Sequence, residues 1–327
     1  MVPHLMPKLP IEIQCIILSL VPQLDLLSIR QVSEGWFHAE VIDQVISTSL
    51  GTVSIMFERQ SLESFLQICE IPNFASQIRI LDICIRHLLP LDNQQRSGDA
   101  NDDGEDEDVN DGGHTYATCT SGYCMLHLRE QDELMRNYTL LKRFSEGLQK
   151  LTQCGAIVFA DEEPPRGFCG LAEGVDPSHY RGVMLKPGES IAFVSKVLHV
   201  VLDGPVRPHL EAIDFNIGEF SSRNMDGIKP SMLPSLPSAV ANVRRLSLHL
   251  DCESLDGSEL GTFIQGFPEL LELGLTIVGD DWMLKTLPFL NQMAIPQLQK
   301  LCLTWLACGM HELETFLIRH RENFDAY

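Results

Sequence analysis

The chain has 327 residues, room for two or three domains at roughly 150 residues each. An apolar fraction of 44% can build a sizeable core, and 24 Lys and Arg against 45 Asp and Glu leave a net charge of -21, which disfavours nucleic acid as a partner. Ten cysteines with no close C-x-x-C pair imply reduced thiols in the cytoplasm or nucleus, and no apolar run is long enough to predict a membrane span. The apolar stretch Cys15–Leu20 is not expected to be a signal peptide, because no basic segment precedes it and Glu12 and Gln14 sit within the apolar part.

Residues 9–50 read as three short helices. In the first, Ile13, Ile16, Ile17 and Leu20 fall on one stripe, Pro10 suits the first turn, Glu12 suits the N-terminal dipole and Pro22 ends it. Asp25 can cap a second helix, Leu26 to Gln31. Ser33 can cap a third, with Phe37, Val41 and Val45 on one side and Trp36, Glu40 and Asp43 on another. About 40 residues are too few to close a core alone, so this unit should pack on the rest of the chain.

The order Leu9-Pro10-x-Glu12-Ile13-x-x-Ile16, then Leu20, then Asp25-Leu26-Leu27-Ser28-Ile29-Arg30-x-Val32-Ser33-x-x-Trp36 resembles an F-box. Glu34-Gly35 departs from the pattern, and Gly35 weakens the start of the third helix by ~1 kcal/mol relative to Ala. Read from the residues alone, the segment is also compatible with an ordinary three-helix cap on a larger fold.

Residues 51–327 carry a degenerate L-x-x-L-x-L pattern. Its clear copies begin at Val243, Leu270 and Leu298, with leucines 246, 248 and 250, then 273 and 275, then 301 and 303. Looser copies begin at Ile78 and Leu210, and Ala156–Phe159 fits another. Alternation of period two predicts a short strand in each. Helical patterns lie between them: Leu134, Tyr138, Leu141 and Leu148 on one face, Ile191, Val194, Val197, Leu198 and Val201 on another, and shorter helices near 257–266, 282–294 and 309–321. The expected fold is α/β: a three-helix F-box over 1–50, then an irregular leucine-rich-repeat-like αβ solenoid with parallel strands over 51–327. The other reading is a non-repetitive α/β domain with a coincidental leucine pattern. Asn323 to Tyr327 could begin another strand, so the chain could be cut short there.

Residues 92–114 hold nine acidic side chains against Arg96 alone and should form a disordered acidic loop interrupting the solenoid. A Pro- and Gly-rich excursion is expected over about 161–187. Asp99-x-Asn101-x-Asp103-Gly104 imitates a calcium loop, but the twelfth position is Asn110 where a bidentate Glu is needed. His114, Cys119, Cys124 and His127 are the right residue types for zinc in an order that fits no finger. Asn137-Tyr138-Thr139 is a sequon inside a predicted helix. No phosphate-binding loop, dinucleotide turn or nucleophile elbow occurs, so neither enzyme activity nor a cofactor or metal is expected. Cys84, Cys252 and Cys302 alternate with apolar strand residues and read as small core side chains.

An F-box followed by leucine-rich-repeat-like units is an arrangement similar to loosely patterned proteins of filamentous fungi. The resemblance implies a non-catalytic substrate-recognition adaptor of an SCF-type ubiquitin ligase. Leu9, Pro10, Ile13, Ile16, Leu20, Leu26, Val32 and Trp36 would bind a Skp-family linker, and through it a cullin. The solenoid would hold an unknown target for ubiquitin-dependent degradation, with tethering raising the effective concentration of target lysines. Outward strand positions are the candidate target contacts: Ser247, His249, Gly274, Thr276 and Thr304, with Cys302 beside them. Net acidity outside the loop favours a basic target. An F-box-bearing interaction scaffold with no role in degradation shares every one of these features.

Overall fold

A computed structural model describes residues 9–19, 21, 29, 39–87, 122–161, 188–202, 209–217, 240–251, 257–278, 295–304 and 310–321. The acidic stretch, the calcium-like loop, His114 and Cys119, most of 161–187, the helix expected at 282–294, and Leu20, Leu26, Val32 and Trp36 lie outside the described residues.

The chain is a mixed α/β fold built on a seven-stranded parallel sheet. Its strands are β1 (Thr52–Met56), β2 (Ile80–Cys84), β3 (Ala156–Ala160), β4 (Ala212–Asn216), β5 (Arg245–Asp251), β6 (Glu272–Val278) and β7 (Lys300–Thr304). They lie side by side in sequence order, each hydrogen-bonded to the strand before it. Six of them fall on the six predicted copies of the leucine pattern. β1 had no predicted counterpart, yet it carries the same signature. Leu50, Val53, Ile55 and Phe57 are spaced as in the later copies, and all four are buried.

Alternation turns the pattern into two apolar rows on one face. One row runs Val53, Leu81, Ile157, Ile213, Leu246, Leu273, Leu301 in register, and the next Ile55, Ile83, Phe159, Phe215, Leu248, Leu275, Leu303. Up to β6 every member is buried, at ~1.5–3 kcal/mol for each large side chain. Phe159 and Phe215 stack with centroids 5.0 Å apart. At each strand start the same backbone arrangement recurs. One carbonyl accepts from two successive N–H groups of the next unit: Gly51 from Arg79 and Ile80, Arg79 from Gly155 and Ala156, and so on to Leu271 from Gln299 and Lys300. The units are thus equivalent in their backbone where their sequences have drifted apart.

Parallel strands need long crossovers, and helices supply them. Among the described residues the helices are α1 (Ile11–Ser19) and α2 (Ala39–Ser49) before β1, α3 (Arg59–Cys69), α4 (Pro72–Ala75), α5 (Gly122–Arg136), α6 (Tyr138–Gln149), α7 (Gly188–Leu202) and α8 (Gly257–Gln265) between strands, and α9 (Met310–His320) after β7. α3 was not predicted, although Leu62, Phe65, Leu66 and Cys69 make a regular buried stripe. Its Phe65 and the strand-end Phe57 both pack on Phe144 of α6, at 5.4 and 5.3 Å. Gly147 of α6 lets these helices approach, since a Cβ there would stand 3.0 Å from Leu66 Cδ2.

Of the face expected to join Leu134, Tyr138, Leu141 and Leu148, the three leucines are buried in the core and Tyr138 is exposed. The helix breaks at Asn137, whose side chain accepts a hydrogen bond from the Leu140 N–H and caps α6. Tyr138 opens the second helix and is exposed, while Leu140 and Phe144 join Leu141 and Leu148 in the core. The sequon asparagine is therefore a helix cap and not a mid-helix residue. Val194, Val197, Leu198 and Val201 of α7 are buried together as expected.

α1 packs on α2, and Leu18, Val41, Ile42, Ile46 and Leu50 belong to the same buried cluster as the sheet. The first helices accordingly close their core against the sheet domain. Cys84 is a core residue, its thiol pushed up to about 12 mainly by burial. Cys302 is not. It falls on the outward phase of β7 and is exposed.

Candidate functional site

Two surfaces stand out, one on α1 and one on the open face of the sheet. On α1, the Pro10 carbonyl accepts from the Ile13 and Gln14 N–H groups and starts the helix. Gln14, fully buried, donates through Nε2 to the Leu9 carbonyl at 2.9 Å and ties the preceding chain to the helix. Gln14 and Leu18 point into the core. Ile13 and Ile16, at 42% and 55% exposure, point to solvent with Ile11. The predicted stripe of Ile13 and Ile16 is thus real but faces away from this chain. Together with Pro10 it forms an apolar patch on a helix whose other side is anchored.

On the open face of the sheet, the outward strand positions form rows across it. Ser54, Asp82, Val158, Asp214, Ser247, Gly274 and Cys302 are in register, as are His249, Thr276 and Thr304. The candidate target contacts therefore come together as two neighbouring rows. Ser247, Gly274, Thr276 and Cys302 line an open groove of about 310 Å³ between β4 and β7. His249 shares the face but is buried, and Thr304 is exposed just outside the groove. Gly274 lowers the floor of the groove. A Cβ there would meet Ser247 Oγ at 3.3 Å.

The sequence reading missed the charges of this groove. Asp214, Arg245, Glu272 and Lys300 line it, as two ion pairs. Arg245 Nη2 lies 3.5 Å from Asp214 Oδ2, and Lys300 Nζ 3.3 Å from Glu272 Oε2. Burial raises the Asp214 carboxyl above its ordinary range, and Arg245 and His249 offset this only in part. The signal was available: Arg245, Glu272 and Lys300 each immediately precede the first strand leucine of a repeat and so share one register row. On the same face, Ser54 Oγ donates to Asp82 Oδ2 at 2.8 Å.

Cys69 and Cys84 are kept as thiols by burial. His87, stacked on Phe193 at 4.3 Å, is pushed down to about 4 by burial and stays neutral. Among the described residues no helix is long and apolar enough to cross a membrane.

No curated protein matches the chain. The family model of the F-box domain matches residues 6–39, which takes in Leu9, Pro10 and all of α1. F-box domains generally bind Skp-family proteins and generally belong to non-catalytic adaptors. The chain thus carries an N-terminal F-box domain joined to a mixed α/β fold with a seven-stranded parallel sheet.

Proposed function

We propose that this chain is a substrate-recognition subunit of an SCF-type ubiquitin ligase. The F-box, residues 1–50 in this reading, docks on a Skp-family linker and through it a cullin. The leucine-rich-repeat-like region, residues 51–327, holds a target protein on the open face of its sheet. The observation that carries the reading is the outward apolar face of α1, held by a buried Gln14 and Leu18 on the opposite side. Of the linker contacts named from sequence, Leu9, Pro10, Ile13 and Ile16 belong to this element. Leu20, Leu26, Val32 and Trp36 complete the proposed interface from outside the described residues.

The target contacts proposed are Ser247, His249, Gly274, Thr276 and Thr304, flanked by the two ion pairs of the groove. A net charge of -21 favours a basic target surface, and the groove charges add a local pattern for it to match. No chemistry is asked of this chain, since ubiquitin transfer belongs to other subunits and the chain supplies proximity. The setting is cytoplasmic or nuclear.

The test uses the full-length chain in cells. Ile13→Glu with Ile16→Glu should release the linker while leaving target capture intact, and the target should then be protected from turnover. A target that is captured but has the same half-life with and without this double substitution would instead favour the scaffold reading.

A further inference from the structure

The groove between β4 and β7 carries an order of charges, not only a net sign. Arg245, Glu272 and Lys300 come from three adjacent strands and share one register row, so the sign alternates at every strand. Their side chains are 52%, 44% and 67% exposed, so each keeps solvent-facing surface even within its ion pair. The row beside them is low, with Ser247 and Gly274 as the floor. Adjacent strands lie ~4.8 Å apart, which sets the three charges at about 0, 4.8 and 9.6 Å along the groove. An extended chain repeats one face only every ~6.6 Å and falls out of step at the first strand. A helix rises ~1.5 Å per residue, and its residues i, i+3 and i+7 share one side at about 0, 4.5 and 10.5 Å.

We propose that the target segment held in this groove is an α-helix laid across the strands, with acidic, basic and acidic side chains at i, i+3 and i+7 facing Arg245, Glu272 and Lys300. This rests on the reading of the open sheet face as the target surface and adds the class of segment that the surface takes. The low floor at Ser247 and Gly274 lets a helix come close, and Asn216 and Thr276 add hydrogen-bonding groups to the lining. The three steps from β4 to β7 span ~14 Å, the length of about nine helical residues. The helix dipole sets the direction. The half-buried Asp214 carboxyl on β4 favours the positive N-terminal end, and the Lys300 ammonium on β7 favours the negative C-terminal end. The acidity of the whole chain acts on the target surface at long range, whereas the groove reads the sequence of charges on one helix.

The experiment measures fluorescence polarisation of labelled, end-capped, alanine-rich peptides of about 18 residues with the full-length chain. The first peptide carries Glu, Lys and Glu at i, i+3 and i+7. The second carries Glu, Glu and Lys there and has the same net charge. The third repeats the first with a central proline that breaks the helix. The wild-type chain should bind the first about tenfold more tightly than either of the others. Exchanging the pair, Glu272→Lys with Lys300→Glu, keeps opposite charges side by side on β6 and β7 and changes the row to plus, plus, minus. That variant should prefer the second peptide over the first by about tenfold, a gain that a misfolded chain could not show. Equal affinity of the wild-type chain for the first two peptides overturns the helix proposal. So does full binding of the proline peptide, a preference that the exchange does not reverse, or no binding at millimolar peptide. The underlying reading has a separate readout in proteins captured from cell extract. Capture undiminished by Gly274→Val overturns the open face as target surface, whereas capture lost in that variant with no discrimination among the peptides overturns the helix alone.

Discussion

Ile16 and Leu18 stand two positions apart on α1 and face opposite ways, the first 55% exposed and the second fully buried. One nine-residue helix therefore does two jobs, holding on to the chain and presenting an apolar face outward.

Substitutions on the two sides should separate these jobs. Ile13→Glu with Ile16→Glu should reduce co-purification of a Skp-family linker more than tenfold while Tm stays within a few degrees. Leu18→Ala should do the reverse, removing ~2–5 kcal/mol of stability through a cavity beside Ile42 and Ile46. Thermal melts alongside pull-downs decide it. A loss of linker binding that simply tracks Tm in both variants would contradict the division.

The half-buried Glu58 and the buried His87 should give opposing pH dependence. Glu58 is raised to about 7 by burial and by Glu130, so its contribution to stability is full below 4.5 and is lost as pH rises through 7. His87 is lowered to about 4, so its contribution is present above 6.5 and is lost as pH falls through 4. The two slopes partly cancel in the wild-type chain. Glu58→Gln should unmask the histidine, leaving stability that rises between pH 4 and 6.5, with a gain over wild type at pH 8 on the order of 1–3 kcal/mol. Denaturant titrations across that range measure it, and equal stability of the two proteins at pH 8 would contradict it.

The groove should govern target choice without governing stability. Its ion pairs are exposed on at least one side, and such pairs contribute ~0–1 kcal/mol. Arg245→Gln with Lys300→Gln should leave Tm within a few degrees and the linker bound, yet change the set of proteins captured by the full chain. An unchanged captured set would place the target surface elsewhere.

Filling the groove tests it sterically. Gly274→Val puts methyl groups where a Cβ already approaches Ser247 Oγ at 3.3 Å. Target capture should drop several-fold, and adding Ser247→Ala should recover stability but not capture, because the floor stays raised. Competition pull-downs with the wild-type chain read the difference.

The strands were legible because period-two alternation of leucines survives divergence. Six strands were found that way, and Leu50-Val53-Ile55-Phe57 would have given the seventh had the pattern been extended one unit back. Tyr138 alone was misplaced, because helical periodicity was carried through Asn137, whose capping role is visible only once the Leu140 N–H is seen to be its donor. The groove charges escaped attention because each of Arg245, Glu272 and Lys300 is unremarkable in its own segment. Only strand register brings them into one row. The outward turn of Ile13 and Ile16 could be expected from the resemblance but not from the stripe itself, which reads equally well as a core face.

The serial strand order has a consequence for how such a chain can change. Ile80 pairs with Ala156 just as Arg245 pairs with Glu272, although far more chain separates the first two. Each strand answers only to its neighbours, and closing a longer connection costs only about 0.6 kcal/mol per doubling. Length can therefore be added between strands without disturbing register anywhere else. Evolution of this fold should be recorded in the connections, which are free to grow and diverge, while the five to seven residues of each strand hold their places.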